Sequence, residues 1–160
     1  TDTEKKFPIR SMATSARSFC IITRELFENL KTTEQFYHIQ NFEIEKILEI
    51  HDNIINISGG LSGYKDKEGV NQVIDFMQND LYYTNFVEKL AYLIFSISKN
   101  HFFNDGNKRT ALVSGLFFLT INGYFSQLDL YVIDMEYTIV DLVENKISRD
   151  EFVEILKKYL

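Results

Sequence analysis

Residues 86–122, FVEKLAYLIFSISKNHFFNDGNKRTALVSGLFFLTIN, set two long apolar runs on either side of one short polar stretch. In the first run Val87, Leu90, Ala91, Ile94 and Phe95 recur at three-to-four spacing, which predicts a helix from about Phe86 to Asn100 with a wide buried stripe. Asn85 and Glu88 stand three residues apart, as a helix cap requires. The second run predicts a helix from Asn107 to Asn122, with Gly123 just past its end as a left-handed C-cap. Two buried helices joined by a tight loop at Asn104 to Gly106 make the centre of a helical protein.

The rest of the chain agrees with that centre. Its one proline is Pro8, and 14 Phe with 9 Tyr supply bulky core material. Further helices are predicted at Ser18–Leu30, at Thr33–Ile50 with Thr32 and Gln35 as a capping box, and around Val70, Val73, Ile74 and Met77, closed by Asn79-Asp80. Two more are predicted at Asp134–Asn145 and Ile147–Leu160, the last announced by Ser148 and Glu151. The β-branched run Ile54–Ser58 enters Gly59-Gly60-Leu61-Ser62-Gly63, which reads as a small β-hairpin flap. The expected fold is mostly α with that flap, divided into an N-terminal extension, 1–35, and a main domain, 36–160.

A length of 160 residues fits one core. Hydrophobic residues at 45% and charged residues at 25% exclude wholesale disorder. The net charge of −6 disfavours broad nucleic-acid binding, because phosphate backbones reward the opposite sign. Cys20 is the single cysteine, so no intrachain disulfide forms, and a reducing cytoplasm is the expected location. No apolar run approaches the roughly 20 residues that cross a bilayer, and no signal-peptide pattern is evident, so no membrane partner is expected.

Chemistry concentrates in His101-Phe102-Phe103-Asn104-Asp105-Gly106-Asn107-Lys108-Arg109. Gly106 and Asn107 can turn successive amide N–H groups toward one point, to which the following helix adds its positive N-terminus. Lys108 supplies a point charge and Arg109 a forked donor, so the combination suits a polyphosphate. Asp105 is a carboxylate for Mg²⁺, which commonly binds through one or two carboxylates and substrate phosphates. His101 is the available general base. Each residue also has a plainer reading: Phe103 as a core plug, Asp105 as an N-cap, Lys108 and Arg109 as a solvated face. His38 and His51 are read as caps or surface residues.

Taken together, His101, Phe103, Asp105, Gly106, Asn107, Lys108 and Arg109 resemble the signature loop of the Fic/Doc family, whose larger branch reads His-x-Phe-x-Asp/Glu-Gly-Asn-Gly-Arg and whose Doc (death-on-curing) branch ends Asn-Lys-Arg. The likeness runs from about Ile50 to the C-terminus and includes His51-Asp52, Gly59-Gly60 with Gly63, and Lys65-Asp66. It implies a Fic-type helical bundle with a flap. It also implies His101 as the base acting on a target hydroxyl, Asp105 as the Mg²⁺ ligand, and Gly106, Asn107, Lys108 and Arg109 as the cradle for ATP phosphates. Phe103 would anchor the loop, and the flap residues Gly60, Leu61, Ser62, Gly63, Tyr64 and Lys65 would dock a target protein in extended form.

Most of that family attaches AMP, in a branch with glycine where Lys108 stands and a second arginine where Leu112 stands. The Doc branch shares both departures, and the resemblance therefore implies transfer of the γ-phosphate of ATP to a hydroxyl side chain, with elongation factor Tu as a suggested target. AMP transfer and an inactive binding module are the alternatives. Self-restrained members carry Ser/Thr-x-x-x-Glu-Gly/Asn. Here Glu28-Asn29, Glu68-Gly69 and Glu144-Asn145 are preceded at the required place by Arg24, Tyr64 and Val140. The expected partner is thus a toxin's separate antitoxin protein, acting in trans.

Overall fold

The computed structural model describes residues 43–160. Six α-helices run through them: α1 Ile44–Ser58, α2 Lys67–Gln78, α3 Phe86–Lys99, α4 Asn107–Ile121, α5 Leu128–Val143 and α6 Arg149–Leu156, and a 3₁₀ turn follows at Lys157–Tyr159. The expectations for residues 1–42, including the helix at 18–30, the Thr32–Gln35 cap and the boundary at 35, lie outside the described residues. Among those described there is no sheet, and a single antiparallel bridge joins Tyr64 to Phe103.

Helix α4 is the middle of the bundle. It is buried on nearly every side, as a helix apolar all round must be, and packs against α1, α3 and α5. Helix α3 lies beside it and also meets α2, α5 and α6. Fully buried Leu90, Leu93, Ile94, Phe118, Tyr131 and Phe152 fill the space between them, each side chain contributing about 1.5–3 kcal/mol if it follows the usual value for burial. Gly115 makes the closest approach in the core possible: a Cβ there would strike the hydroxyl of Tyr131 and stand 2.8 Å from Ile94 Cδ1. That tyrosine hydroxyl donates to the Leu112 carbonyl at 2.9 Å, so its polar end is satisfied.

Helix ends follow local chemistry. The Asn85 side chain accepts from the Glu88 N–H at 3.0 Å, while the Glu88 carboxylate turns back to the N–H and hydroxyl of Thr84. Ser148 and Glu151 form the reciprocal capping box. At the end of α4, Gly123 is left-handed with φ +86°, its N–H donates to Thr120 O and that of Tyr124 to Leu119 O, the Schellman pattern. Lys89 is buried yet paired: its ammonium donates to Met77 O and to Asp80 Oδ1, both at 2.8 Å, at the negative C-terminus of α2.

Three expectations need correction. The run Ile54–Ser58 is the last turn and a half of α1, not the first arm of a hairpin, because it continues the helical period of Ile47 and Ile50; the helix expected to stop at Ile50 stops at Gly59, where φ is +81°. Residues 59–65 are consequently an extended crossing and no β-hairpin is seen. Helix α5 starts at Leu128, six residues before the expected Asp134, with Leu128, Tyr131, Met135, Ile139 and Leu142 as its buried stripe. The last expected helix, to Leu160, gives way to the 3₁₀ turn after Leu156.

Candidate active site

The polar stretch between α3 and α4 sits where the C-terminus of α1 and the flap crossing converge on the N-terminus of α4. His101 follows the C-cap of α3, is exposed, and has φ +50°, a left-handed conformation uncommon for a residue with a side chain. Phe103 is fully buried and its ring stacks on that of His51, centroids 4.0 Å apart and planes 9° apart. It is the core plug of the sequence reading.

Asn107 turns its side chain inward. Its side chain is buried and spends both amide ends on one residue: Oδ1 accepts from Phe103 N and Nδ2 donates to Phe103 O, each at 3.0 Å. The side chain closes the loop into a ring, and its backbone N–H is the group it can offer a ligand. Gly106, at φ +78°, is the N-cap of α4 and brings no side-chain acceptor to the first turn, so this helix end has no side-chain cap, while Gly106 and Asn107 are themselves buried.

Asp105 is about one-third exposed at its side chain. Its Oδ1 accepts from Gly106 N at 2.8 Å and its Oδ2 from Leu61 N at 3.3 Å, while Arg109 Nη2 stands 3.7 Å from Oδ1. Arg109 is almost wholly buried and its Nη1 donates to Ser58 Oγ at 2.6 Å and to Gly59 O at 2.8 Å, fastening the end of α1 to the site. Lys108 is half-buried. The Lys146 ammonium, bonded at 2.7 Å, holds the Glu144 carboxyl below its usual range, and Lys108 adds a weaker pull in the same direction.

The flap crossing runs antiparallel to the loop and is stitched to it. Asn104 donates from its side chain to Ser62 O at 2.9 Å and from its backbone to Gly63 O at 3.1 Å; Lys65 N donates to Phe102 O at 2.7 Å. Tyr64 makes the bridge to Phe103. Gly60 decides how near the crossing can lie: at φ +121°, a Cβ there would stand 2.6 Å from Asp105 Oδ2 and 3.0 Å from Arg109 Nη2. Leu61 is left 70% exposed, the most outward apolar side chain beside the loop.

His51, read from sequence as a cap or surface residue, is fully buried here, and Asp52, Ser58 and Tyr64 join it around the loop. The usable signal was spacing: His51, Ile55 and Ser58 lie at i, i+4 and i+7, on one face of α1.

The residues fit a magnesium ion of limited protein ligation. Among the described residues no three His, Cys, Asp or Glu side chains gather to hold a metal by themselves. Asp105 alone, partly exposed beside a helix N-terminus that favours anions, matches an ion whose other ligands are phosphate oxygens and water. None of the described helices is long and apolar enough to cross a membrane.

Comparison with known proteins falls on this same ground. Residues 41–119 match the Fic/DOC family, a span that contains every residue of the site from His51 to Arg109. Protein kinase doc of Escherichia phage P1 is 38% identical over 82 residues, which cover 49% of this chain and 65% of that protein. The matched stretch thus spans just under two thirds of the relative's length.

Proposed function

We propose a function from the premise that this chain, through residues 41–119, belongs to the Fic/DOC family and is similar to its Doc branch: it transfers the γ-phosphate of ATP to a hydroxyl side chain of a target protein. The observation that carries this reading is the joint placement of an exposed histidine, a partly exposed carboxylate, an uncapped helix N-terminus and a lysine where the AMP-transferring branch has glycine.

In the reaction, the target hydroxyl oxygen bonds to the γ-phosphorus, the bond from that phosphorus to the ADP oxygen breaks, and His101 takes the hydroxyl proton. The first-turn amides of Gly106–Arg109 and the Lys108 ammonium hold the phosphate oxygens, fixed electrostatics that act where charge is transferred. Asp105 would hold Mg²⁺, which neutralises phosphate charge when bound. Arg109 reaches a phosphate by exchanging its contacts with Ser58 and Gly59. Phe103 and Asn107 keep the loop in shape, and residues 60–65 dock the target by its backbone. The reading extends to a toxin restrained by an antitoxin in trans, acting in the cytoplasm, with elongation factor Tu as the target to try first.

The test is transfer of label from ATP to protein in a bacterial lysate, with purified enzyme and with elongation factor Tu alone. Label from γ-labelled and not α-labelled ATP supports the proposal. Label from α-labelled ATP replaces it with AMP transfer, and no label from either replaces it with a binding role.

A further inference from the structure

We propose that His51 is a positioning residue for the loop 101–109, and that Asp52 and Tyr64 extend its hold to the flap, so that one network rooted in a buried imidazole sets both the phosphate cradle and the docking segment; this rests on the transfer reading above. Three contacts converge on the His51 ring, which is wholly out of solvent. Its Nε2–H donates to the Asp105 carbonyl at 2.8 Å, one face stacks on Phe103 at 4.0 Å, and Nδ1 lies 3.4 Å from Asp52 Oδ1. Tyr64 then closes the network from the flap: its hydroxyl donates to both Asp52 oxygens, at 2.8 and 2.9 Å, and its ring packs edge-on against Phe103 at 5.7 Å.

The Asp105–Gly106 peptide is the piece that matters for chemistry. Its carbonyl is held by His51 and its N–H by the carboxylate of Asp105 itself. Rotation of this peptide would re-aim both the carboxylate proposed for magnesium and the first amide of the cradle. An imidazole 54 residues away in sequence holds it and is itself wholly buried. His51 therefore acts through Asp105, while Tyr64 acts through the flap, and the two should fail in different kinetic parameters.

Amide hydrogen exchange on the full chain without ATP, beside kinetics with ATP and target, tests this. His51→Leu keeps bulk and removes the donor; His51→Gln keeps a donor near the Nε2 position. With cooperative melting retained, His51→Leu is expected to speed exchange at Gly106–Arg109 and to lower kcat roughly 10–100-fold, the usual cost of losing a group that orients a ligand. The KM for target should stay within about twofold, and His51→Gln should recover most of both losses. Tyr64→Phe should instead raise the KM for target severalfold with kcat nearly unchanged. Unchanged exchange at Gly106–Arg109 in His51→Leu, or a Gln variant as impaired as Leu, overturns the proposal. If His51→Leu does not fold, the Gln variant decides alone: exchange and kcat near wild type support the proposal, and loss of both overturns it. Should the wild type transfer no phosphate, the transfer reading falls, and the exchange measurements still judge His51.

Discussion

His101 holds a backbone conformation that side-chain-bearing residues seldom take, and that conformation turns its ring outward from the end of α3. If it is the base, His101→Ala should lower transfer by about 10²–10⁴-fold while ATP still binds, because the imidazole handles a proton and not the phosphates. Titration calorimetry beside initial rates checks both halves; a variant within about tenfold of wild type would remove His101 from that role. Tyr64 carries a second prediction. Burial first, and the Asp52 carboxylate beside it second, push its phenol up to about 12 from 10.0. A raised phenol stabilises the folded state fully below the unfolded value and loses that contribution as pH climbs from 10.0 toward about 12. The stability gap between wild type and Tyr64→Phe should therefore shrink across this range, in urea unfolding at pH 9 and pH 11; a constant gap would mean that the phenol keeps no raised value. At this scale the loop was legible because its residue types are contiguous. His51 was misread, and the inward turn of the Asn107 side chain was not foreseen, because side-chain partners are set by folding: Asn107 bonds Phe103, and His51 reaches Asp105 across 54 positions.

Between helices, Gly115 sets how closely α4, α3 and α5 can pack. An alanine there would gain about 1 kcal/mol of helix propensity over glycine. Its Cβ would meet Tyr131 and Ile94, both fully buried, with the tyrosine pinned by its bond to Leu112. Overpacking of this kind costs about 1–3 kcal/mol, so Gly115→Ala should come out destabilised by up to about 2 kcal/mol in chemical denaturation. A more stable variant would show that the helices part without cost. Helices α2 and α3, whose stripes repeat at one period, and α4, apolar all round, were legible to within a residue or so at the ends that caps define. The α1–flap junction was not: Ile54–Ser58 is β-branched in composition and helical in fact, and tertiary contact of Ser58 and Gly59 with Arg109 outweighs local propensity.

Across the described residues, the bundle gathers the ends of α1, α3 and α4 on one side, where the flap crosses them. The helical class followed from the sparse proline and the apolar periods; the convergence did not, because it depends on how α1 packs against α4. The exposed Leu61 also makes this side open to optical measurement. The sequence contains no tryptophan, and Leu61 meets Asp105 through its backbone N–H, so replacing its side chain leaves that contact in place. Leu61→Trp would give the protein a single indole, at a site that is 70% exposed. Its emission should shift to the blue when a target covers the flap and remain where it is with ATP alone. An indole that stays solvent-like while the target is being modified would mean that docking occurs on another face.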